Sequence, residues 1–347
     1  MPANVFTERI IVRVTIKKIA QELGISHSTV SRVLNDKQSY LVSEATRERI
    51  LEAATRMGYR PNRIAQALQG KSTQLIGVFL PDAEDYFFQS VLRHLRHTLE
   101  ESDYELMEFA CPPNRIAATW HRLLQWDLDG VFAFDYLFYV DGLWEALSKH
   151  RGAIPPIVGL FSSQTRLKDF VTLDFRPALE ELLSTLLQKG RRRLGYMSYP
   201  TSLNDQEVRY SLFRAFTTRH GLEQVDIAMP YGQPTHMEAA RQGMLAWIGS
   251  GQGLPEALFC QNDEIALGAY RAFCETGIQV PEQVALAGCD DLPYVSYLET
   301  PLTSLSLPVP QVCRQGWSIL QKRIAEPEGP PMQVIVEAEL RLRASCP

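Results

Sequence analysis

The sequence predicts a small all-α helix-turn-helix head joined to a larger α/β body of two doubly wound parallel-sheet subdomains. Three observations predict it. Charge is divided unevenly: residues 1–73 hold 12 Lys and Arg against 6 Asp and Glu, a net of +6, whereas residues 74–347 carry a net of −11. Within the head, apolar residues recur at helical spacing in short blocks punctuated by Gly. Beyond it, β-rich apolar runs alternate with helical segments in an order that occurs twice.

Length and composition bound the rest. A chain of 347 residues has room for two or three domains. Its 45% hydrophobic and 22% charged residues exclude extensive disorder and collagen-like repeats. No run reaches the ~18 consecutive apolar residues of a membrane span. The nearest, residues 131–140, is broken by Asp135 and reads as a buried strand entering a loop. No long apolar core or small-residue cleavage site marks the first dozen residues, so a cytoplasmic protein is expected. Cysteines at 111, 260, 274, 289, 313 and 346 are too scattered for a disulfide framework or a zinc knuckle. They read as free, mostly buried thiols.

In the head, Thr15 can cap a helix whose Ile16, Ile19, Ala20 and Leu23 form one apolar stripe. Gly24 stops it, because Gly enters the left-handed region without a Cβ penalty. Ser26 then caps a second helix over 27–35, with Val30, Val33 and Leu34 inward and Ser28, Ser31, Arg32 and Asn35 outward. Two short helices joined by a tight Gly turn, the second polar on its outer face, make a helix-turn-helix. A third helix starts at Ser43, packs with Ile50, Leu51, Ala54 and Met57, and ends at Gly58. Pro61 and Gly70 bracket a fourth of about two turns, too short to persist alone in water.

The run over 14–77, with its Thr-Ile-Lys-Lys-Ile-Ala-Gln-Glu-Leu-Gly-Ile-Ser, Ser-Thr-Val-Ser-Arg-Val-Leu-Asn, Val-Ser-Glu-Ala-Thr-Arg-Glu-Arg and Gly-Tyr-Arg-Pro-Asn-Arg-Ile-Ala segments, resembles the lactose-repressor (LacI/GalR) family of bacterial transcription regulators. The resemblance implies that the second helix reads the major groove of double-stranded operator DNA. It also implies that the fourth helix is a hinge that folds on DNA and wedges a leucine into the minor groove. By position, His27, Ser28 and Arg32 would face base edges, and Thr15, Ser26, Thr29 and Asn35 would hold phosphates or sugar. Asn62, Ala65 and Leu68 would lie at the minor groove. Arg suits bidentate contact with guanine, hydroxyls suit phosphates, and an apolar wedge bends the duplex by unstacking a base step. The domain plan that follows is a flexible arm over 1–13, the helix-turn-helix domain over 14–60, a hinge and linker over 61–73, and an effector-binding and dimerisation domain over 74–347.

The body opens with an apolar strand at 75–80, a helix over 87–101 and a strand at 104–109. The order recurs at 194–197, 206–219 and 225–229, with further strands at 130–134, 157–160, 257–260 and 284–288 and an alternating one at 334–342. The halves are read as 74–173 with 305–330, and 174–304 with 331–347. The arrangement is similar to the family's effector domain, which shares the fold of periplasmic sugar-binding proteins.

Ligands of such folds bind at the carboxyl ends of the strands. The segment 81–88 matches a pocket-lining family stretch ending in two aromatics, which gives Phe87 and Phe88. Asp174 stands where the family commonly has an Asp, and Arg209 matches its ligand-gripping arginine. Asn262 and Asp290 follow two further strands. Carboxylates, an amide and a guanidinium opposite aromatic rings suit a hydroxyl-rich effector such as a carbohydrate. Phe175 replaces a residue that is often polar, and Pro234 lies near where an aromatic often sits, so the effector's identity does not follow.

An enzyme would need a nucleophile, a metal or a phosphate loop. Gly249-Ser250-Gly251-Gln252-Gly253 precedes a strand, whereas phosphate cradles follow one. His94 and His97 lack the further ligands that would complete a metal site. The expectation is therefore a non-enzymatic regulator with no cofactor, away from the membrane. One helix-turn-helix per chain reads one half-site, so a homodimer on a palindrome is expected. The alternative, a solute-binding protein of the same body fold, does not account for the basic head.

Overall fold

The computed structural model describes residues 14–34, 41–59, 72–81, 85–134, 139–161 and 167–346. The chain divides into two compact units, residues 1–73 and 74–347. Asn35 and the fourth-helix residues Asn62, Ala65 and Leu68 lie outside the described residues, as does the arm over 1–13.

The head contains α1 (Ile16–Leu23), α2 (His27–Leu34) and α3 (Glu44–Met57). Thr15 Oγ1 accepts the Lys18 N–H, and Gly24 closes α1 at φ 67°. Ser26 Oγ accepts the Thr29 N–H at 3.0 Å and opens α2. Ile19, Ala20, Val30, Val33, Ile50, Ala53 and Ala54 form the core, from which water is almost excluded. Leu51, expected to pack inward, is instead 44% exposed, and Ala53 takes its place. Residues 50, 53, 54 and 57 fall on one face, whereas Leu51 is turned by a full helical step from Ile50. An Arg56–Glu22 ion pair ties α3 to α1 at the surface.

The body runs β1 (Leu75–Pro81), α4 (Tyr86–Glu100), β2 (Glu105–Cys111), α5 (Ile116–Leu123), β3 (Gly130–Phe134), α6 (Tyr139–Lys149), β4 (Ile157–Leu160) and β5 (Asp169–Asp174). It continues with α7 (Arg176–Gln188), β6 (Arg193–Ser198), α8 (Val208–Arg219), β7 (Glu223–Ala228), α9 (His236–Gly249), β8 (Ala257–Cys260), α10 (Asp263–Thr276) and β9 (Ala285–Asp290). Last come β10 (Thr303–Ser306), α11 (Val309–Ala325), β11 (Gln333–Glu337) and β12 (Glu339–Arg341). Two six-stranded sheets result, ordered β11-β5-β4-β3-β1-β2 and β12-β10-β9-β8-β6-β7. Every pairing is parallel except β10 with β12. Central strands such as β3 and β8 are buried throughout, the pattern of sheets covered by helices on both faces.

Residues 331–347 correct the expected division. Gln333–Glu337 pairs with β5 of the first sheet, and only Glu339–Arg341 joins the second. The inward positions 334, 336, 338 and 340 and the exposed odd positions alternate without a break across both strands. One period-2 pattern therefore serves two sheets, and it gives no sign of where the chain crosses. The crossing is at Ala338, whose N–H bonds to the Asp174 carbonyl at 2.9 Å. Helix α11 packs on α4, β4 and β5 of the first half. Its Arg323 makes a buried bidentate pair with Asp169, at 2.6 and 2.7 Å.

Candidate functional site

In the head, α2 buries Val30 and Val33 and exposes His27, Ser28 and Arg32, with Thr29 half-buried beside them. Ser28 and Arg32, one turn apart, share a face. Thr15 and Ser26 stand exposed at the amino ends of α1 and α2. Ser26 Oγ also lies 2.8 Å from Ser28 Oγ and 2.7 Å from Thr29 Oγ1, so three hydroxyls cluster where a helix amino terminus favours an anion.

In the body, the carboxyl ends of the strands carry the polar and aromatic groups. On the first half they form an aromatic wall. Phe87 meets Phe161 at 5.1 Å between ring centroids and Phe88 at 5.4 Å; Phe88 meets Phe134 at 5.2 Å. Phe88 is 7% exposed and belongs to the core, whereas Phe87 is half-buried. Phe161 holds φ at 55°, an unusual backbone for an aromatic residue, just beyond β4.

The second half supplies the charge. Asp290, at the end of β9, has φ 111° and is followed by Asp291 at φ 54°. Strained residues of this kind gather at functional sites, where the surrounding structure over-determines them. Asp263 is fully buried; it accepts the Ser304 hydroxyl at 2.6 Å and the Leu292 N–H at 2.8 Å. Burial pushes its carboxyl up to about 7. Asp290 is raised well above the usual carboxylate range by desolvation and by the nearby carboxyls of Asp263 and Asp85, against the pull of Arg209. Glu264 is pushed up to about 7 by burial and by Asp85.

Not every residue expected from sequence has a side chain free for a ligand. Arg209, expected to contact ligand rather than core, is 9% exposed and donates to Glu207 at 2.8 Å and to the Gln261 carbonyl at 2.9 Å. The Phe175 ring lies under its guanidinium at 5.3 Å, so the aromatic at that position stacks on charge. Asn262 caps α10 by accepting the Ile265 N–H. Asp174 accepts the Arg176 N–H at the start of α7, next to the crossing at Ala338. A separate concavity, lined by Arg191, Glu256, Pro281 and Ala285, lies at the amino ends of β6, β8 and β9, opposite to these groups.

Two features escaped the sequence. The Ser198 hydroxyl donates to the Gln261 side chain, placing a buried polar pair at the ends of β6 and β8. Tyr86, from the first half, packs into the second-half core and meets Tyr294 edge-on at 5.6 Å. Strand-end position was the available signal for Ser198 and Gln261. For Tyr86 there was none, because its partner is more than 200 residues away.

The sequence model of bacterial regulatory proteins of the lacI family matches residues 15–62. That match spans the helix-turn-helix and continues to the first residues of the expected hinge. The head is of the lacI family. In the body, the model of a periplasmic binding protein-like domain matches residues 183–346. Catabolite control protein A of Staphylococcus aureus is 24% identical over 336 residues, covering 96% of this chain and 99% of the relative. The Lac repressor dimer bound to operator and the anti-inducer ONPF superposes with a TM-score of 0.83 at 21% identity, covering 96% and 99% of the two chains. The transcriptional regulator CelR in complex with cellobiose gives 0.65 at 22% identity, covering 96% and 100%. The lacI family is regulatory, not enzymatic. No helix among the described residues is long and apolar enough to cross a membrane.

Proposed function

We propose that this chain is a transcriptional regulator that binds a near-palindromic operator as a homodimer and is controlled by a small polar effector in the body. The observation that carries this reading is α2: its two buried valines fix the helix, and His27, Ser28 and Arg32 are left exposed on it. Arg32 reads a base edge, while Thr15, Ser26 and Thr29 with Asn35 hold the backbone. Asn62, Ala65 and Leu68 act at the minor groove, and the hinge folds only when operator and twin chain supply the free energy.

The effector is a carbohydrate or sugar derivative. Supporting this are the half-buried Phe87 ring for a sugar face, the Asp290 carboxyl and the Nδ2 of Asn262, whose Oδ1 caps α10, for hydroxyls, and the cellobiose held by a regulator of the same fold. Arg209 and Asp174 shape the same strand ends. The acidic body and basic head suit a cytoplasmic protein that meets DNA at one end only. A solute-binding role for transport is disfavoured by the matched head.

The test is selection of binding sequences from a random duplex pool with the full chain, followed by anisotropy titrations with and without a panel of sugars. A palindromic consensus, bound with strong salt dependence and shifted in affinity by one sugar class, is expected. Equal affinity for all duplexes would remove the regulatory reading; operator binding that no sugar alters would remove the carbohydrate.

A further inference from the structure

Where the two halves of the body meet, three groups with metal-ligating atoms converge. Asp85 precedes α4 of the first half; His236 opens α9 and Glu264 lies in the first turn of α10, both of the second. Their ligand atoms all lie within 4.8 Å of one another, with His236 Nδ1 3.9 Å from Glu264 Oε2. Asp85 and Glu264 are 8% and 7% exposed, so these are not carboxylates scattered over a solvated face. One Asp85 oxygen accepts the Phe87 N–H at 2.8 Å, which fixes that carboxylate at the start of α4.

The independent sign of a missing partner is His236 Nδ1. The atom itself is shielded from solvent, although the His236 side chain is 37% exposed, and among such shielded side-chain nitrogens and oxygens of the described residues it alone makes no hydrogen bond. A buried polar atom left without a partner calls for an explanation. Two acidic side chains and an imidazole nitrogen present lone pairs to one small space, and a cation is what satisfies all three.

We propose that Asp85, His236 and Glu264 form a site for a divalent transition-metal ion that ties the two halves of the body together. Mixed carboxylate and imidazole donors select ions such as Zn²⁺, Co²⁺ or Mn²⁺ over Mg²⁺ or Ca²⁺, which prefer oxygen alone. Bonds near 2.1 Å to tetrahedral ligands set donors about 3.4 Å apart, so side chains whose ligand atoms now lie within 4.8 Å of one another would draw in on the ion. Three protein ligands leave a coordination position for water or a ligand hydroxyl. Because Asp85 comes from one half and the other two from the second, the ion binds the arrangement that brings the halves together and stabilises it by mass action. The inference does not depend on the effector being a sugar.

The experiment uses full-length protein stripped with EDTA and returned to chelator-free buffer. Co²⁺ is titrated while visible d–d absorption is followed, and Zn²⁺ is then added in competition. One equivalent of Co²⁺ per chain is expected, displaced by Zn²⁺, with a higher melting temperature in Zn²⁺ that EDTA reverses. His236→Gln and Glu264→Gln each remove a ligand, so affinity should fall by more than the about 10–100-fold that losing an outer-shell partner costs. Melting of the stripped variants serves as the folding control; if one fails to fold, Asp85→Asn, which keeps an acceptor for the Phe87 N–H, replaces it. Absence of Co²⁺ and Zn²⁺ binding up to millimolar concentration overturns the proposal. So does binding that the substitutions leave unchanged.

Discussion

Arg209 donates to Glu207 at 2.8 Å with both side chains about nine-tenths buried. Glu207 in turn accepts the Tyr196 hydroxyl at 2.9 Å and the Tyr210 N–H at 2.7 Å, so it caps α8 and anchors a buried tyrosine of β6. Arg209 is the counter-charge of that network as well as a strand-end group of the body. Removing it strands a buried carboxylate. Arg209→Ala should therefore lower stability by about 3–5 kcal/mol, in addition to weakening the effector response. Urea unfolding with the full chain measures the first effect. A midpoint equal to wild type would show that the pair does not hold the site together.

The head gives a prediction on sequence reading. Arg32→Ala should lose about 1–3 kcal/mol of discrimination at one symmetric pair of operator positions, provided Arg32 pairs with guanine. Leu68→Ala should weaken operator binding far more than non-specific binding, since only the specific complex takes the wedge. Both are read by anisotropy against operator variants and a scrambled duplex. A uniform loss across all duplexes for Arg32→Ala would make it a phosphate contact.

Thiol chemistry separates one cysteine from five. Cys274 is exposed; Cys111, Cys260, Cys289, Cys313 and Cys346 are buried. Burial also pushes the Cys313 and Cys346 thiols up to about 12, so little of the reactive thiolate is present near neutral pH. A disulfide-exchange reagent should label one thiol per native chain rapidly and all six only in denaturant. Rapid labelling of two or more native thiols would mean that a buried site opens.

Gly288 is the closest-packed point of the acidic site. A Cβ built there would lie 2.2 Å from the Asp263 Oδ1 atom that accepts the Ser304 hydroxyl. Gly288→Ala must displace a hydrogen-bonded buried carboxyl, and about 1–3 kcal/mol of stability should be lost. Gly249→Ala, where a Cβ meets nothing within 4 Å, is the control and should change stability little. Equal melting temperatures for the two variants would contradict the packing described.

The sequence by itself determined whatever depends on local periodicity and short-range chemistry. Thr15, Gly24 and Ser26 mark helix ends because a capping hydroxyl and a left-handed glycine act within one turn. Most strands of both sheets were legible because buried parallel strands read as apolar runs, but β10, Thr-Ser-Leu-Ser, lacks that signature and went unread. Phe87, Asp174, Arg209, Asn262 and Asp290 all fall at strand ends or the helices that follow, as chain order indicated. What those side chains do there was decided by tertiary structure. Asn262 and Asp174 accept backbone N–H groups, and Arg209 is held by Glu207 and the Gln261 carbonyl. The change of sheet at Ala338 left no mark, since alternation in and out continues across it. Nor did the meeting of Asp85 with His236 and Glu264, about 150 residues apart or more. Periodicity records which way a side chain faces from its own element; which other element it faces is fixed only when the halves pack.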